Sequence, residues 1–242
     1  MTDWPIFHFD VVGSTNDVAK EYSQTAVGNF VVQADAQTDG RGRRGRKWIS
    51  LKGNLFFSVG LKFELKNLGM LVLISSMSLL QTIKDIKADA DVKLKWPNDV
   101  LLNNAKVSGM LLEKGDGEYM IVGIGVNIKQ NPDSTQMLYK TTSLKISGIS
   151  TDKDEFLNMF LQRFSENLSL WQKNGSDFVR RKWLENAKGL HEEIVIRQEN
   201  SEYKGIFTNI DESAALLLNT NQGMQKILVG DVFYMSDEDD RL

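Results

Sequence analysis

Cysteine is absent from this chain of 242 residues, and histidine occurs only as His8 and His191. Without cysteine there is no disulfide, no thiolate-ligated zinc or iron–sulfur cluster, and no thiolate nucleophile. Two histidines leave little to build a Ser–His–Asp triad or a multi-histidine metal site. Long apolar runs are missing too. The longest uncharged stretch, 67–83, carries Ser75, Ser76, Ser78, Gln81 and Thr82. That is too polar for a membrane span of about 20 apolar residues, so it reads as a buried helix. The N-terminus shows no basic segment followed by an apolar run, which argues against a secretory signal. These absences point to a cytoplasmic protein with no membrane partner, whose chemistry rests on lysine, arginine, carboxylates, amides and backbone.

What is present is an ordinary globular composition, 41% hydrophobic and 25% charged. At about 150 residues per domain, the length allows one or two domains. A chain this long buries roughly 70% of its extended surface and needs no covalent staple. The formal net charge is −3, yet the segment 40–47 carries five positive charges and no acid, leaving −8 on the rest. A compact basic loop on an acidic body marks a local anion site rather than a general affinity for nucleic acid.

Apolar patterning places strands at 6–11, 30–34, 54–61, 92–95, 100–102, 106–113 and 119–128, with Asn103-Asn104 as a hairpin turn. Helices are expected from Ser14, over 68–86, over 154–171 and over 176–186. After Lys188-Gly189 the pattern changes to five short strands, 194–197, 203–210, 214–218, 226–229 and 232–235, which suit a small closed or partly open β-barrel. The acidic end, 237–240, reads as a solvated tail. The expected architecture is therefore α+β, with a first domain over 1–188 and a small all-β domain over 189–242.

Four segments carry chemistry. In Gln37-Thr38-Asp39-Gly40-Arg41-Gly42-Arg43-Arg44-Gly45-Arg46-Lys47-Trp48, glycines let backbone N–H groups converge on an anion and guanidinium groups bind phosphate oxygens bidentately. The segment suits an RNA contact or a small phosphorylated ligand, and the acidic body favours the ligand. In Lys95-Trp96-Pro97-Asn98-Asp99, Pro97 takes the chain out of its strand, and Lys106 lies seven residues beyond Asp99, past the hairpin turn. Asn98 and Asp99 suit either a plain Asx turn or a functional strand end. Gly123-Ile124-Gly125-Val126-Asn127 permits close approach of a backbone or a ligand but is a poor dinucleotide fingerprint. Ser14-Thr15-Asn16 suits a helix cap or a neutral polar ligand.

Taken in order, these four segments resemble the biotin–protein ligase family. The resemblance implies a mixed sheet with helices on one face, followed by an SH3-like barrel. It implies two steps: biotin's carboxylate attacks the α-phosphate of ATP to give biotinyl-5′-AMP, and a lysine of a biotin carboxyl carrier domain then takes the biotinyl group. By resemblance Ser14, Thr15, Asn16 and Gln37 line the biotin pocket, and Arg41, Gly42 and Arg43 close over the carboxylate and phosphate. Arg46 takes the ATP phosphates, and Trp48 packs near the adenine. Lys106 neutralises charge between carboxylate and α-phosphate, touching both substrates. Asn98 and Asn127 serve the nucleotide or its Mg²⁺, which binds through phosphates and water, with no protein ligand assigned. Asp99 orients the acceptor lysine or takes its proton. Catalysis is thus assigned to Lys106, Arg43 and Asp99. Ser14 comes so early that an enzyme-only form is expected, with no winged-helix domain and no DNA partner; a homodimer is compatible. The nearest alternative is a lipoate–protein ligase with the same adenylate chemistry, and the alternative of another class is a Gly-Arg RNA-binding module.

Overall fold

Strand alternation and glycine placement decide which side of the main sheet becomes core and which becomes a site. The computed structural model describes residues 3–62, 68–133, 137 and 139–234, so the acidic tail and the last residue of the final expected strand lie outside the described residues. The first sheet contains β1 (Ile6–Val12), β2 (Phe30–Gln37), β3 (Leu55–Lys62), β4 (Val92–Lys95), β5 (Asp99–Leu102), β6 (Ala105–Lys114) and β7 (Tyr119–Val126). Their spatial order is β1-β2-β3-β7-β6-β5-β4. β1 and β2 are parallel, joined through helix α1 (Thr15–Ser23), and the other neighbours are antiparallel. Asn103 and Asn104, with φ of 51° and 60°, close the β5–β6 hairpin as expected of that pair.

Alternate residues divide the sheet cleanly. Leu55, Phe57, Val59 and Leu61 of β3 join Val122, Ile124 and Val126 of β7 in the main core. Helix α2 (Gly69–Ile86) and helix α3 (Lys153–Leu184) cover that face, with Phe57 and Phe160 edge to face at 5.1 Å. Each fully buried phenylalanine there contributes about 1.5–3 kcal/mol. The hydroxyls of α2 are buried without penalty because Ser75, Ser78 and Thr82 donate to carbonyls four residues back, at 2.6 to 2.8 Å. α3 is capped by Asp152, whose carboxylate accepts from the N–H groups of Asp154 and Glu155, and it breaks at Gly175 (φ 76°), giving the two helical pieces expected.

The expected one-sided helix packing holds for α2 and α3. Helix α1 lies on the opposite face, where Ala19 packs with Phe30, Val32, Tyr119 and Ile121. It is there because β1 and β2 are parallel and their crossover must pass over one face of the sheet.

The second sheet is antiparallel, β8 (Glu193–Arg197), β9 (Glu202–Ile210), β10 (Leu216–Thr220), β11 (Gly223–Ile227) and β12 (Asp231–Tyr234), ordered β11-β10-β9-β8-β12. No ladder joins β11 to β12 among the described residues, so this SH3-like unit is the open form. Its apolar residues Ile194, Phe207 and Leu216 join the same cluster as the first core. Trp96 donates its indole N–H to the Ala214 carbonyl at 2.9 Å, and Asn186 and Lys188 pair with Leu94 on the edge of β4.

Candidate active site

On the α1 face, the middle of the sheet is floored by glycine. A Cβ on Gly123 would lie 2.1 Å from Asn16 Oδ1, and one on Gly125 would lie 2.4 Å from the Trp48 ring. Gly109 is paired with Gly125 across the strands and also abuts Trp48. The G-x-G pattern therefore makes room for two side chains, Asn16 of α1 and the indole of Trp48. Above this floor is a cavity of about 270 Å³, lined by every residue to which the resemblance gives a role, from Ser14 to Asn127.

One end is neutral and polar. Ser14 occupies the N-cap position of α1 but makes no capping hydrogen bond with its side chain. Thr15 donates to Gln37 Oε1 from its backbone N–H (2.9 Å) and from its hydroxyl (3.1 Å), and Ser58 reaches Thr15 Oγ1 at 2.8 Å and Asn16 Oδ1 at 2.6 Å. Gln37 donates to Ser50 at 3.2 Å, which holds the start of the basic loop.

The loop is a small folded hairpin. Gly42 donates to the Arg46 carbonyl and Trp48 to the Gly40 carbonyl around a turn at Arg43–Gly45, where Arg44 has φ of 57°. Three carboxylates offset its charge. Arg41 forms a fork with Asp17 at 2.5 and 2.6 Å and touches Glu113 at 3.2 Å. Asp231, on β12 of the second sheet, accepts from Arg46 at 2.6 Å and Arg44 at 3.2 Å. The hydrogen bond from Arg41 and its positive charge together outweigh burial and hold Asp17 below the usual carboxylate range. Burial alone would raise Asp231, but the hydrogen bond and charge of Arg46, with the charges of Arg44 and Arg43, lower it.

Among the four arginines of the loop, Arg43 is the exception. Its polar contact is with the neutral Asn98 Oδ1 at 3.1 Å, and no carboxylate among the described residues is in ion-pair distance. Burial lowers its pKa from the ordinary arginine value. A desolvated guanidinium facing a cavity without a counter-ion is an anion site. Close by, Lys106 Nζ is 2.6 Å from Asp99 Oδ1 and 5.6 Å from the centre of the Trp48 ring. Lys106 is fixed by its backbone, which pairs with the segment 140–142 through Lys140 and Thr142. Lys95, only 4% exposed, lies 3.6 Å over the Tyr139 ring in the same wall.

Two asparagines are already engaged. Asn98 donates to the Met110 carbonyl at 2.6 Å while holding Arg43, so it braces the anion site and is not a plain Asx turn. Asn127 donates to the Thr142 carbonyl at 3.0 Å and faces Asn54 Nδ2 at 3.5 Å. Asp99 opens strand β5 and does not sit in the preceding turn. Sequence reasoning missed Asp17, Glu113 and Asp231, scattered carboxylates with no motif; the only signal was that five clustered cations needed counter-charge from the acidic body. Lys95, Ser58 and Tyr139 were missed as well. Lys95 alone had a signal, as the first residue of the Lys95–Asp99 block.

The sequence model of the Biotin/lipoate A/B protein ligase family matches residues 8–128, and that of the Biotin protein ligase C terminal domain matches residues 190–235. The biotin–[acetyl-CoA-carboxylase] ligase of Paracoccus denitrificans is 34% identical over 232 residues, covering 91% of this chain and 97% of the relative. The bifunctional ligase/repressor BirA of Bacillus subtilis is 31% identical, covering 94% of this chain and 73% of that protein. Among solved structures, the biotin protein ligase from Aquifex aeolicus in complex with biotin and ATP superposes with a TM-score of 0.82 at 33% identity, covering 95% of this chain and 97% of that one. A match to both domain models, in the order of the two sheets, together with a relative aligned over nearly its full length, shows that this chain belongs to the biotin protein ligase family.

Proposed function

We propose that this chain activates biotin with ATP as biotinyl-5′-AMP and transfers it to a lysine of a biotin carboxyl carrier domain. The observation that carries the reading is one cavity with two unlike ends: a neutral polar end at Ser14, Thr15, Asn16 and Gln37, and a cationic end where Arg43 has no carboxylate at ion-pair distance among the described residues. A cyclic urea suits the first end, and a carboxylate and an α-phosphate suit the second. The relative from Aquifex aeolicus, solved with biotin and ATP, supports this substrate pair.

Attack of a carboxylate on phosphorus needs positioning and charge neutralisation, not an enzyme nucleophile, which fits a chain without cysteine. Arg43, with Arg41 and Gly42 beside it, receives the carboxylate and phosphate. Lys106 offsets the charge that gathers between them as the new acyl–phosphate bond forms and pyrophosphate leaves. Arg46 serves the outgoing phosphates and Trp48 the adenine, while Asn127 steadies that wall. In the second step a neutral lysine amine attacks the acyl carbon, AMP departs, and Asp99 orients that amine or takes its proton. Among the described residues no three carboxylates or histidines converge. Asp99 and Asp231 are both in ion pairs, so a Mg²⁺ brought in on the nucleotide phosphates, keeping its waters, fits this donor set. We also propose a catalytic unit over 1–188 and a small unit over 189–242. A cytoplasmic setting suits a cysteine-free chain whose long apolar helix α2 is two-thirds buried in the core.

The test is ATP–pyrophosphate exchange with biotin and lipoate in parallel. Exchange with biotin alone is expected. Exchange with lipoate alone makes the chain a lipoate ligase. Salt-sensitive RNA binding with no exchange supports the nucleic-acid reading.

A further inference from the structure

Behind the neutral end of the cavity is a carboxylate that offsets the charge of the loop and has no part in the proposed reaction. Glu113, on β6, accepts through Oε2 from Asn16 Nδ2 at 2.6 Å and from Arg41 at 3.2 Å, and through Oε1 from Lys20 at 3.0 Å and Arg41 at 3.5 Å. Burial would raise its pKa, but the hydrogen bonds from Asn16 and Lys20 and the charge of Arg41 lower it, so it is ionised at neutral pH.

An asparagine amide can be seated either way round, and its neighbours decide which. Both neighbours of Asn16 Nδ2, the Glu113 carboxylate and the Leu111 carbonyl at 3.4 Å, can only accept. Turning the amide over would set two acceptor oxygens 2.6 Å apart with no proton between them. On its other side Asn16 Oδ1 takes the Ser58 hydroxyl at 2.6 Å and rests on Gly123, which with Asn16 lines the cavity. A carbonyl oxygen has two lone pairs, so one acceptor position is left for a ligand.

We propose that Glu113 is a positioning residue for ligand choice: its acceptor-only carboxylate turns the Asn16 carbonyl to the cavity, which then selects a neutral head carrying an N–H donor, as a cyclic urea does. The proposal rests on the biotin reading and deepens it. It also links head recognition to the basic loop, because the same carboxylate holds Arg41.

An exchange of acid and amide tests it. Glu113→Gln is isosteric, but Lys20 and Arg41 only donate and will hold the new carbonyl, turning the new NH₂ toward Asn16 and flipping it. Calorimetry should show the biotin Kd rising about tenfold or more. The exchange assay should show the same rise in KM for biotin, with kcat changed less than about threefold. Combining Glu113→Gln with Asn16→Asp keeps the net charge and restores an acceptor to the cavity. That pair should recover most of the lost affinity, and Asn16→Asp alone, which opposes two carboxylates, should bind worse than the pair. An unchanged Kd in Glu113→Gln overturns the proposal. So does a loss that the pair fails to recover, whether or not the melting temperature falls, since Glu113 then acts only as a structural ion pair. Absence of biotin-dependent exchange in the unaltered chain would instead strike the proposed function and leave the order among variants as the separate test of Glu113.

Discussion

Lys106 and Asp99 are close enough, at 2.6 Å, that neither can be changed without the other feeling it. Lys106→Ala removes the charge proposed to sit between carboxylate and α-phosphate, and loss of one such stabiliser costs about 10²–10³ in rate. Biotin-dependent pyrophosphate exchange should fall by that factor, and near-normal exchange would remove Lys106 from the reaction. Asp99→Asn should separate the half-reactions. An acceptor lysine with an ordinary pKa of about 10.4 arrives protonated, and general-base help is typically worth about 10²–10⁴-fold. Transfer from preformed adenylate, followed in a single turnover by mass spectrometry, should slow by that much while exchange falls less than about tenfold. Equal losses would mean that Asp99 serves only to hold Lys106. Much of this is legible in sequence, because Asp99 and Lys106 flank a hairpin whose turn Asn103-Asn104 announces. The partners of the arginines are not, because Asp17, Glu113 and Asp231 lie 24, 72 and 185 residues from the guanidinium groups they pair with.

Among the elements, the basic loop draws its counter-charge from outside its own segment. Four arginines and three glycines suggest a segment that repels itself until an anion arrives. Carboxylates of α1, β6 and β12 supply that counter-charge instead, and the loop folds as a hairpin against them. Asp231→Asn should loosen it. Limited trypsin digestion should cut at Arg44 or Arg46 faster than in the unaltered chain, with biotin and ATP slowing the cut; unchanged digestion would mean that Asp231 does not hold the loop. The strand floor gives a second prediction. Gly125→Ala puts a Cβ 2.4 Å from the Trp48 ring, so the indole must shift. ATP binding should weaken several-fold and biotin binding much less, as separate titrations would show. Period-two patterning and turn residues made the strands readable. The side taken by α1 was not, since an amphipathic helix of this length reads alike on either face, and the parallel pairing of β1 with β2 that decides it is a tertiary fact.

Across the whole molecule, the small sheet completes the site by lending Asp231 to the loop and Val232 to the cavity wall. Composition and the change of pattern after Lys188-Gly189 made that unit visible, but its charge contact with residues 44 and 46 was beyond any local reading. The ion pairs of both units, Asp231 among them, have a pH signature. Asp17, Glu113 and Asp231 are all held below the ordinary carboxylate range, and Asp211 is lowered to about 2, where hydrogen bonds from Lys226, Ser213 and nearby backbone N–H groups outweigh burial. Depressed carboxylates add stability above their unfolded pKa of about 4 and lose it as pH falls through the folded value. Thermal melts should therefore be flat from about pH 7 to 5 and drop below about pH 4. A drop already complete by pH 5 would contradict the ion-pair assignment.

In the proposed reaction one cavity forms an adenylate from biotin and passes it to a lysine. The direct measurement mixes the full chain with biotin and ATP in the absence of acceptor, detects the product by mass spectrometry, and then adds a carboxyl carrier domain. Biotinyl-5′-AMP should accumulate to about one equivalent per chain and disappear as the carrier lysine gains the biotinyl group. No adenylate with biotin, or adenylate formed equally with lipoate, would overturn the proposed biotin ligase activity.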